Sequence, residues 1–502
     1  MKHTYRFLYV ALTMVFMVGT ITPSHAKRVK GEPKAKYVFY MIGDGMGINE
    51  VTGTELYNKA TGKGPVQINF MHFPVRTFVN TFSASSLVTD SAAGGTALST
   101  GTRTYNGAIG LDSDRDTLAT LAEWAKASGA GVGIATSVGI NHATPAAFYA
   151  HVADRNSYDA ISRQLINSDI DFAAGAGFLT ERRTGLDATF YEQEARGEGI
   201  KVFYGAEEFG KVSAGHKRVI CLGGKNMGEL PFAVDRKETD TALKDFVSTG
   251  IGYLYERFAE EGFLFMIEGG KIDYAGHNDD AVSCFNEVND FAAAMDVVLE
   301  FYNQHPDETL IIVTADHETG GLMLGAGEYE MKPELLAVQT VSENELTSKF
   351  RTAFMPPAPQ QRRGMGGGQG GPQRMFQQQQ TQYNPPTWDA VKDFLKANLG
   401  LWDSVPVDKR TEQRFFETYQ STFGAKEGEN DVRSLYSVNT RLVSDAVLYL
   451  NAAAGYQWAH GSHSGSPVGL YVNGVRAAEF NTCTENIDIP LLIARIAGYI
   501  TK

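Results

Sequence analysis

The sequence predicts an α/β fold, a three-layer sandwich with a mostly parallel central sheet and helices on both faces. The first observation is three apolar runs that end abruptly in polar clusters, at Tyr37 to Ile42, Phe263 to Ile267 and Thr309 to Ala315. Continuous apolar runs of this length are typical of buried parallel strands. The second is helical patterning between the runs, at Leu118 to Ala127 and Val282 to Tyr302. Strands that alternate with helices predict a sheet covered on both sides.

Acidic residues follow directly after each predicted strand. Asp44 follows the first run, Glu268 the second, and Asp316 with His317 the third. In open α/β sheets ligands bind beyond the carboxyl ends of the strands, so we expect these side chains to share one site. Carboxylates and imidazoles are common metal ligands. The pattern therefore predicts a metal site at this edge of the sheet.

Two further segments offer candidate ligands. Asp273 and His277 are four residues apart, so on a helix they share one face. His463 stands between flexible residues, just before a predicted strand at Val468 to Val472. Taken singly each signal is weak, because a helical Asp/His pair is more often a surface pair.

A candidate nucleophile, Ser91, stands in the segment Val88 to Ala97. The small residues after Ser91 predict a helix that packs closely against a neighbour. Ser91 would begin that helix, where free N–H groups and the helix dipole favour a phosphate. The alternative is a plain helix cap by Asp90 or Ser91, and local sequence alone favours it.

The composition is that of a globular protein. Of the 502 residues, 43% are hydrophobic and 21% charged, with a net charge of −13. An acidic surface argues against nucleic acid as the main partner. It also repels phosphate, so a phosphate site needs local positive charge, which we expect metal ions to supply.

The N-terminal segment has the plan of a secretory signal peptide, residues 1–26. Lys2 and Arg6 precede an apolar run from Phe7 to Ile21, and small residues close the segment at Ser24 to Ala26. A membrane anchor is the alternative, but the run is shorter than the roughly 20 apolar residues of a span. No later segment is long and apolar enough to span. We therefore expect an exported chain, periplasmic if bacterial and otherwise secreted.

The region 325–455 reads as a cap-like insertion into a core of residues 27–324 and 456–502. Its centre, 355–386, is rich in Gln, Gly and Pro and predicts a disordered loop. Three segments around it have helical patterning: Trp388 to Leu399, Lys409 to Tyr419 and Val432 to Leu450.

The three cysteines, Cys221, Cys284 and Cys483, stand in no CxxC pair. Export permits one disulfide, but the sequence does not choose the pair and leaves one cysteine over. Buried free thiols are the preferred interpretation.

The chain resembles the alkaline phosphatase family in seven motifs that stand in the family's order. They cover about residues 35 to 325 and 456 to 500. The motifs are Gly43-Asp44-Gly45-Met46-Gly47, Thr89-Asp90-Ser91-Ala92-Ala93, Ala143-Thr144-Pro145-Ala146, Ala150-His151-Val152-Ala153-Asp154-Arg155, Glu268-Gly269-Gly270-Lys271-Ile272-Asp273, Thr314-Ala315-Asp316-His317 and His463-Ser464-Gly465.

This resemblance implies hydrolysis of small phosphate monoesters through a phosphorylated Ser91, with two Zn²⁺ and one Mg²⁺ as cofactors. A homodimer is usual in the family. Arg155 would clamp two oxygens of the phosphoryl group. The implied ligands are Asp273, His277 and His463 for one zinc, Asp44, Asp316 and His317 for a second zinc next to Ser91, and Asp44, Thr144 and Glu268 for the magnesium. The Ser91 hydroxyl itself would also coordinate metal, which would lower its pKa.

The sequence departs from the family pattern at two positions. His142 stands where common bacterial members have aspartate, although animal-type members carry histidine there, and Tyr274 stands where bacterial members have lysine. Together with Asp90, these residues are expected to surround the ligands and tune the third metal and the substrate.

Two other readings remain open. A phosphodiesterase or sulfatase of the same superfamily is one, but the Cys/Ser-x-Pro-x-Arg signature of sulfatases is absent. Diesterases generally lack an arginine clamp together with a third metal, so Arg155, Thr144 and Glu268 favour monoesters. The other reading, an inactive binding or structural protein, would be expected to lose ligands, and none is missing.

Overall fold

The computed structural model describes residues 33–325, 327, 329–355, 384–424, 429 and 431–500. The predicted signal peptide lies outside the described residues, as do residues 356–383, most of the predicted loop at 355–386. Within the described part of the chain, no helix is long and apolar enough to cross a membrane.

A central sheet of nine strands organises the fold. Six further strands are only two or three residues long and form three small ribbons. In chain order the strands are β1 Tyr37–Gly43, β2 Val75–Val79, β3 Gly131–Thr136, β4 Phe172–Gly175, β5 Lys201–Tyr204, β6 Val219–Leu222, β7 Phe263–Gly269, β8 Thr309–Thr314, β9 Glu318–Thr319, β10 Met323–Leu324, β11 Asp431–Arg433, β12 Val438–Thr440, β13 Tyr456–Gln457, β14 His463–Ser464 and β15 Val468–Gly474.

The sheet order is β2-β15-β8-β1-β7-β3-β4-β6-β5. Neighbouring strands from β8 to β5 are all parallel, and only β15 runs antiparallel to its neighbours β8 and β2. Every residue of β1, β7 and β8 is buried. Ile42 lies opposite both Glu268 and Thr314, so these three strands end level with one another. The predicted mostly parallel α/β sheet is confirmed.

The helices are of two kinds, those that pack on the sheet and those of the region 325–455. They are α1 Ile48–Thr61, α2 Ser91–Thr100, α3 Leu121–Ala127, α4 Ala143–Ala146, α5 Tyr158–Asn167, α6 Ala188–Gly197, α7 Ala206–Phe209, α8 Leu243–Phe258, α9 Lys271–His277, α10 Ala281–Gln304, α11 Glu343–Phe354, α12 Trp388–Leu399, α13 Lys409–Gly424, α14 Arg441–Ala454 and α15 Asp488–Ala497, with single 3-10 turns at Asn69–His72, Pro333–Val338 and Ala477–Thr482.

The helix predicted from Leu118 starts three residues later, at Leu121. Thr120 caps it: its side chain accepts a hydrogen bond from the Glu123 backbone N–H, and the Glu123 side chain accepts one from the Thr120 N–H. This capping box satisfies backbone donors that a helix start leaves free, so it fixes the boundary.

In the region 325–455, α12 and α13 lie where helices were predicted, and α11 is a helix that the sequence patterning did not predict. The prediction of a helix over Val432 to Leu450 is wrong in its first half. Residues 431–440 form the antiparallel hairpin of β11 and β12, and α14 begins only at Arg441. Ser434 N–H bonds the Ser437 carbonyl at 3.0 Å and closes the turn. Turn-forming serines between β-branched residues favour a hairpin over a helix.

All three cysteines are free and buried, as the preferred interpretation predicted. Cys221 lies on β6 and Cys284 on α10, within the apolar core.

Candidate active site

The carboxyl ends of the three central strands carry the predicted acidic residues. Asp44 follows β1, Glu268 lies near the end of β7, and Asp316 and His317 follow β8. All four side chains are fully buried. The backbone turns sharply after Asp44, because Gly45 has a φ of +72° and a Cβ there would lie 2.7 Å from Thr319 Oγ1. Only glycine allows the backbone after β1 to pass this close to Thr319.

A first cluster consists of Asp44, Asp316 and His317. His317 Nε2 lies 3.4 Å from Asp44 Oδ1 and 3.5 Å from Asp316 Oδ2. The candidate ligand atoms all lie within 4.8 Å of one another, close enough for a single metal ion. The structure thus brings together the three residues that the resemblance implied for one zinc.

A second cluster joins helix α9 to the C-terminal segment. Asp273 and His277 face the same side of α9, with His277 Nε2 3.4 Å from Asp273 Oδ1. His463, on β14, places its Nε2 3.7 Å from Asp273 Oδ1 and 3.2 Å from His277 Nε2. His317 also lies within 4.8 Å of Asp273 and His463, so the two clusters adjoin.

The imidazoles of this second cluster are oriented by backbone carbonyls. His277 Nδ1 donates to the Gly461 carbonyl and His463 Nδ1 donates to the Thr89 carbonyl, both at 2.9 Å. In a neutral imidazole with its proton on Nδ1, Nε2 carries a lone pair. The two Nε2 lone pairs therefore face each other beside a carboxylate, which is the orientation of metal-ligating histidines.

A third cluster lies on the other side of Asp44. His142 Nδ1 is 4.0 Å from both Asp44 Oδ2 and Glu268 Oε1. Thr144 Oγ1 donates to Asp44 Oδ2 at 3.1 Å, and Thr136 Oγ1 donates to Glu268 Oε2. The sequence analysis expected His142 to lie near the metal ligands without binding a metal itself. In the structure, a ring nitrogen of His142 lies close enough to the Asp44 and Glu268 oxygens to be a ligand.

Four buried polar atoms in these clusters have no hydrogen-bond partner among the described residues: Asp44 Oδ1, Glu268 Oε1, Asp273 Oδ2 and His142 Nδ1. A buried polar atom without a partner costs free energy, so such atoms are rare in native proteins. Bound cations would satisfy all four. The donor set, which mixes carboxylate oxygens with imidazole nitrogens, fits zinc-type ions, and its oxygen-rich third cluster fits magnesium.

Burial and crowding perturb the pKa values of these groups. Burial, with added repulsion from Asp273 and Glu268, raises the pKa of Asp316 to about 8. Burial likewise raises the pKa of Glu268 to about 7 and that of Asp44 well above its usual range. Burial, together with the Arg155 charge, lowers the pKa of His142 to about 3, so this imidazole is neutral. Without cations, Asp316, Glu268 and Asp44 therefore tend to hold protons near neutral pH, whereas the neighbouring His277 keeps the pKa of Asp273 well below its usual range.

We expect metal affinity to rise with pH as a result. Because the raised pKa values keep Asp316 and Glu268 protonated below about pH 7 to 8, a metal ion must displace those protons to bind. Each displaced proton weakens apparent affinity by about tenfold per pH unit below the pKa. Titration calorimetry of metal-free protein in buffers of different ionisation enthalpy counts the protons released. A metal affinity that is equal at about pH 6 and about pH 9 would contradict this linkage.

Ser91 stands beside the first cluster at the start of α2. Its hydroxyl is buried and lies 3.2 Å from His317 Nε2. Asp90 caps the helix by accepting from Ala93 N–H at 3.0 Å. Small residues let α2 approach the end of β8, since a Cβ on Gly94 would lie 2.9 Å from the Asp316 carbonyl oxygen. The cap and the candidate nucleophile are thus both present, on adjacent residues.

Arg155 reaches the same place from the loop before α5. Its Nη1 donates to Asp90 Oδ2 at 3.1 Å, and its Nη2 lies 3.2 Å from His142 Nε2. The guanidinium is thereby held at the helix start that carries Ser91. A planar fork of donors at this position suits two oxygens of a phosphoryl group.

Sequence reasoning missed Tyr436, which the hairpin β11–β12 carries into the site. Its ring stacks on Tyr274 with centroids 3.6 Å apart, and its hydroxyl lies 3.3 Å from His142 Nε2 and 3.5 Å from Arg155 Nη2. No motif marks this tyrosine. The segment around Tyr436 was expected to be helical, and that expectation gave no reason to place its side chain in the active site.

Carboxylates and imidazoles gathered beside a buried serine at the end of a parallel sheet are typical of the active sites of metal-dependent α/β hydrolases. A family model described as Alkaline phosphatase matches residues 35–499, and the chain therefore belongs to the alkaline phosphatase family.

Known proteins agree with this assignment. The chain is 31% identical to the repressible alkaline phosphatase of Saccharomyces cerevisiae over 67% of this chain and 65% of that protein. It is 32% identical to alkaline phosphatase 4 of Bacillus subtilis over 65% of this chain and 72% of that protein. The crystal structure of the cold-active alkaline phosphatase of a psychrophilic Shewanella superposes with a TM-score of 0.71 at 26% identity, covering 92% of this chain and 99% of that one. The matched part thus spans somewhat under two thirds of the yeast relative.

Proposed function

We propose that this chain hydrolyses phosphate monoesters to an alcohol and inorganic phosphate through a phosphoserine on Ser91. The observation that carries the proposal is the position of the buried Ser91 hydroxyl, 3.2 Å from His317 Nε2, beside residue clusters that could hold metal ions. We further propose that the protein is exported through its N-terminal segment.

The residues would hold three ions. Asp273, His277 and His463 fit one zinc, and Asp44, Asp316 and His317 fit a second. Asp44, Thr144 and Glu268, joined by His142, fit a magnesium. When bound, such ions lower the pKa of a coordinated hydroxyl or water and stabilise negative charge on transferring oxygens.

Ser91 supplies the nucleophile. Its Oγ–P bond forms as the P–O bond to the alcohol breaks, while the hydroxyl proton passes to solvent and the alcohol oxygen regains one. Water then attacks the same phosphorus as the Oγ–P bond breaks, Ser91 Oγ takes up a proton, and inorganic phosphate leaves with the water oxygen. The start of α2 orients the phosphoryl group, because its free N–H groups and dipole favour an anion.

Arg155 selects the substrate. Its two terminal nitrogens can bind two phosphoryl oxygens at once, and a monoester carries more charged oxygens than a diester. Asp90, bonded to Arg155 Nη1 at 3.1 Å, holds the fork in place. This arrangement favours monoesters over diesters.

The function is tested by assaying purified protein on a phosphate monoester, a phosphate diester and a sulfate ester side by side, together with its metal content. We expect monoester turnover that chelation abolishes and metal addition restores. Preferred turnover of the diester or the sulfate ester would contradict the proposal.

His142 is expected to weaken magnesium binding at the third cluster. Magnesium prefers oxygen ligands, whereas a neutral imidazole suits zinc. We therefore expect added Mg²⁺ to activate the dialysed enzyme, and excess Zn²⁺ to inhibit it. His142→Asp should tighten Mg²⁺ binding by roughly tenfold, measured by titrating zinc-loaded protein. Equal magnesium affinities of the wild type and the variant would show that His142 does not tune this site.

A further inference from the structure

The hydrogen-bond partners of His142 Nε2 decide which of its nitrogens can bind a cation. A neutral imidazole carries one N–H, and the other nitrogen carries a lone pair. His142 Nδ1 faces Asp44 and Glu268, so it can act as a ligand only when the proton sits on Nε2. The question is therefore which neighbour accepts a hydrogen bond from Nε2–H.

Two groups lie within reach of Nε2, and only one of them can accept its proton. Arg155 Nη2, at 3.2 Å, is only a donor, so it stabilises the form with a bare Nε2 and a protonated Nδ1. Tyr436 Oη, at 3.3 Å, has lone pairs and can accept from Nε2–H. Arg155 thus favours the tautomer that cannot bind a cation through Nδ1. The Tyr436 hydroxyl can donate or accept, so of these two neighbours it alone can stabilise the tautomer that binds a cation.

The Tyr436 hydroxyl is fixed in this position by its hairpin. Ser434 Oγ and Ser437 Oγ both donate to Asn278 Oδ1, at 2.7 Å and 2.6 Å. Asn278 directly follows His277 at the end of α9. The Tyr436 ring also lies nearly parallel to that of Tyr274, with an interplanar angle of 12°. The hairpin is therefore tied to the same helix that carries Asp273 and His277.

We propose that Tyr436 is a positioning residue that accepts the Nε2–H of His142 and so holds Nδ1 ready for the third metal. Arg155 is then released from His142 and can turn both terminal nitrogens to the phosphoryl group. Metal binding at the third cluster and phosphate binding by Arg155 reinforce each other through this one imidazole. This inference rests on the proposed function, because it requires a third cation bound at Asp44, His142 and Glu268.

Tyr436→Phe tests the proposal, because it keeps the stacked ring and removes only the acceptor. Loss of a partner that orients a metal-bound histidine typically costs 10- to 100-fold in affinity. We expect the Mg²⁺ affinity of zinc-loaded protein, measured by calorimetry, to fall by about that factor while two zinc ions per chain are retained. Tyr449→Phe is the matched control, since the Tyr449 hydroxyl donates to the Pro406 carbonyl at 2.7 Å. It should keep third-site affinity within about threefold of the wild type.

Unchanged Mg²⁺ affinity in Tyr436→Phe would overturn the proposal. A loss of zinc affinity as large as the loss of Mg²⁺ affinity would also overturn it, because it would indicate a merely structural role.

A second measurement uses the wild-type protein. Imidazole ¹⁵N spectra of Mg²⁺-loaded protein, with the His142 signals assigned from the His142→Asn spectrum, should show the proton on Nε2. A proton on Nδ1 would overturn the proposal. Wild-type protein that binds Mg²⁺ in this way but does not hydrolyse monoesters would contradict the proposed function and leave the role of Tyr436 intact.

Discussion

Ser91→Ala is expected to reduce monoester turnover by at least roughly 1,000-fold while the protein still binds its metal ions. The Ser91 hydroxyl is the only atom removed, and no other described serine begins a helix beside the Asp44, Asp316 and His317 cluster. Those ligand side chains, which make the large contribution to metal binding, are untouched. Steady-state kinetics with metal analysis of the same sample checks both halves of the expectation.

The matched control is Ser99→Ala, on the same helix. Ser99 is also buried, but its hydroxyl donates to the Thr96 carbonyl within the helix, at 3.2 Å. We expect turnover of this variant within a few-fold of the wild type. Loss of activity in both variants would mean that α2 tolerates no change, and near-normal activity of Ser91→Ala would refute the nucleophile.

Arg155→Ala has the second largest expected effect. Two charge-assisted hydrogen bonds to the phosphoryl group, each worth about 1.5 to 3 kcal/mol, correspond to a loss of roughly 100-fold or more in kcat/KM for a monoester. A diester offers fewer charged oxygens to the fork, so its slower hydrolysis should change far less. Parallel kinetics on the two substrates measure the difference.

Arg155→Lys separates charge from geometry. Lysine keeps the positive charge but cannot form the planar fork. We expect it to recover only part of the monoester activity. If Arg155→Ala lowers monoester and diester hydrolysis by the same factor, Arg155 does not clamp a dianionic group.

Much of the site followed from local sequence. The three apolar runs predicted strands that end in Asp44, Glu268 and Asp316, and the structure places those strands side by side with their ends level. The four-residue spacing of Asp273 and His277 predicted one helical face, as α9 shows. These features depend on short-range periodicity, which a single sequence reveals.

Other site residues required the family motifs. His463 reaches Asp273 through the pairing of β14 with β9, a contact between distant parts of the chain. Thr144 and Arg155 likewise come from loops and a single helical turn, with no periodic pattern of their own. Their approach to the site depends on tertiary packing, which local patterns do not encode.

Tyr436 marks the limit of sequence reasoning. It meets Arg155 across 281 residues of chain, and its hairpin was mistaken for the start of a helix. The apolar residues of this segment are instead divided between the two short strands, which hold Val432 and Val438, and the turn, which holds Leu435 and Tyr436. Short apolar runs are ambiguous between helix and strand. Here the segment pairs as two antiparallel strands, and two serine hydroxyls of its turn bond to Asn278.

The central claim, a phosphoserine at Ser91, is tested most directly by trapping. Wild-type protein is mixed with a phosphate monoester, quenched in acid and digested, and the phosphorylated peptide is identified by mass spectrometry. Our account predicts phosphate on the peptide that contains Ser91, and none on that peptide in Ser91→Ala. Phosphate trapped on any other residue would contradict it.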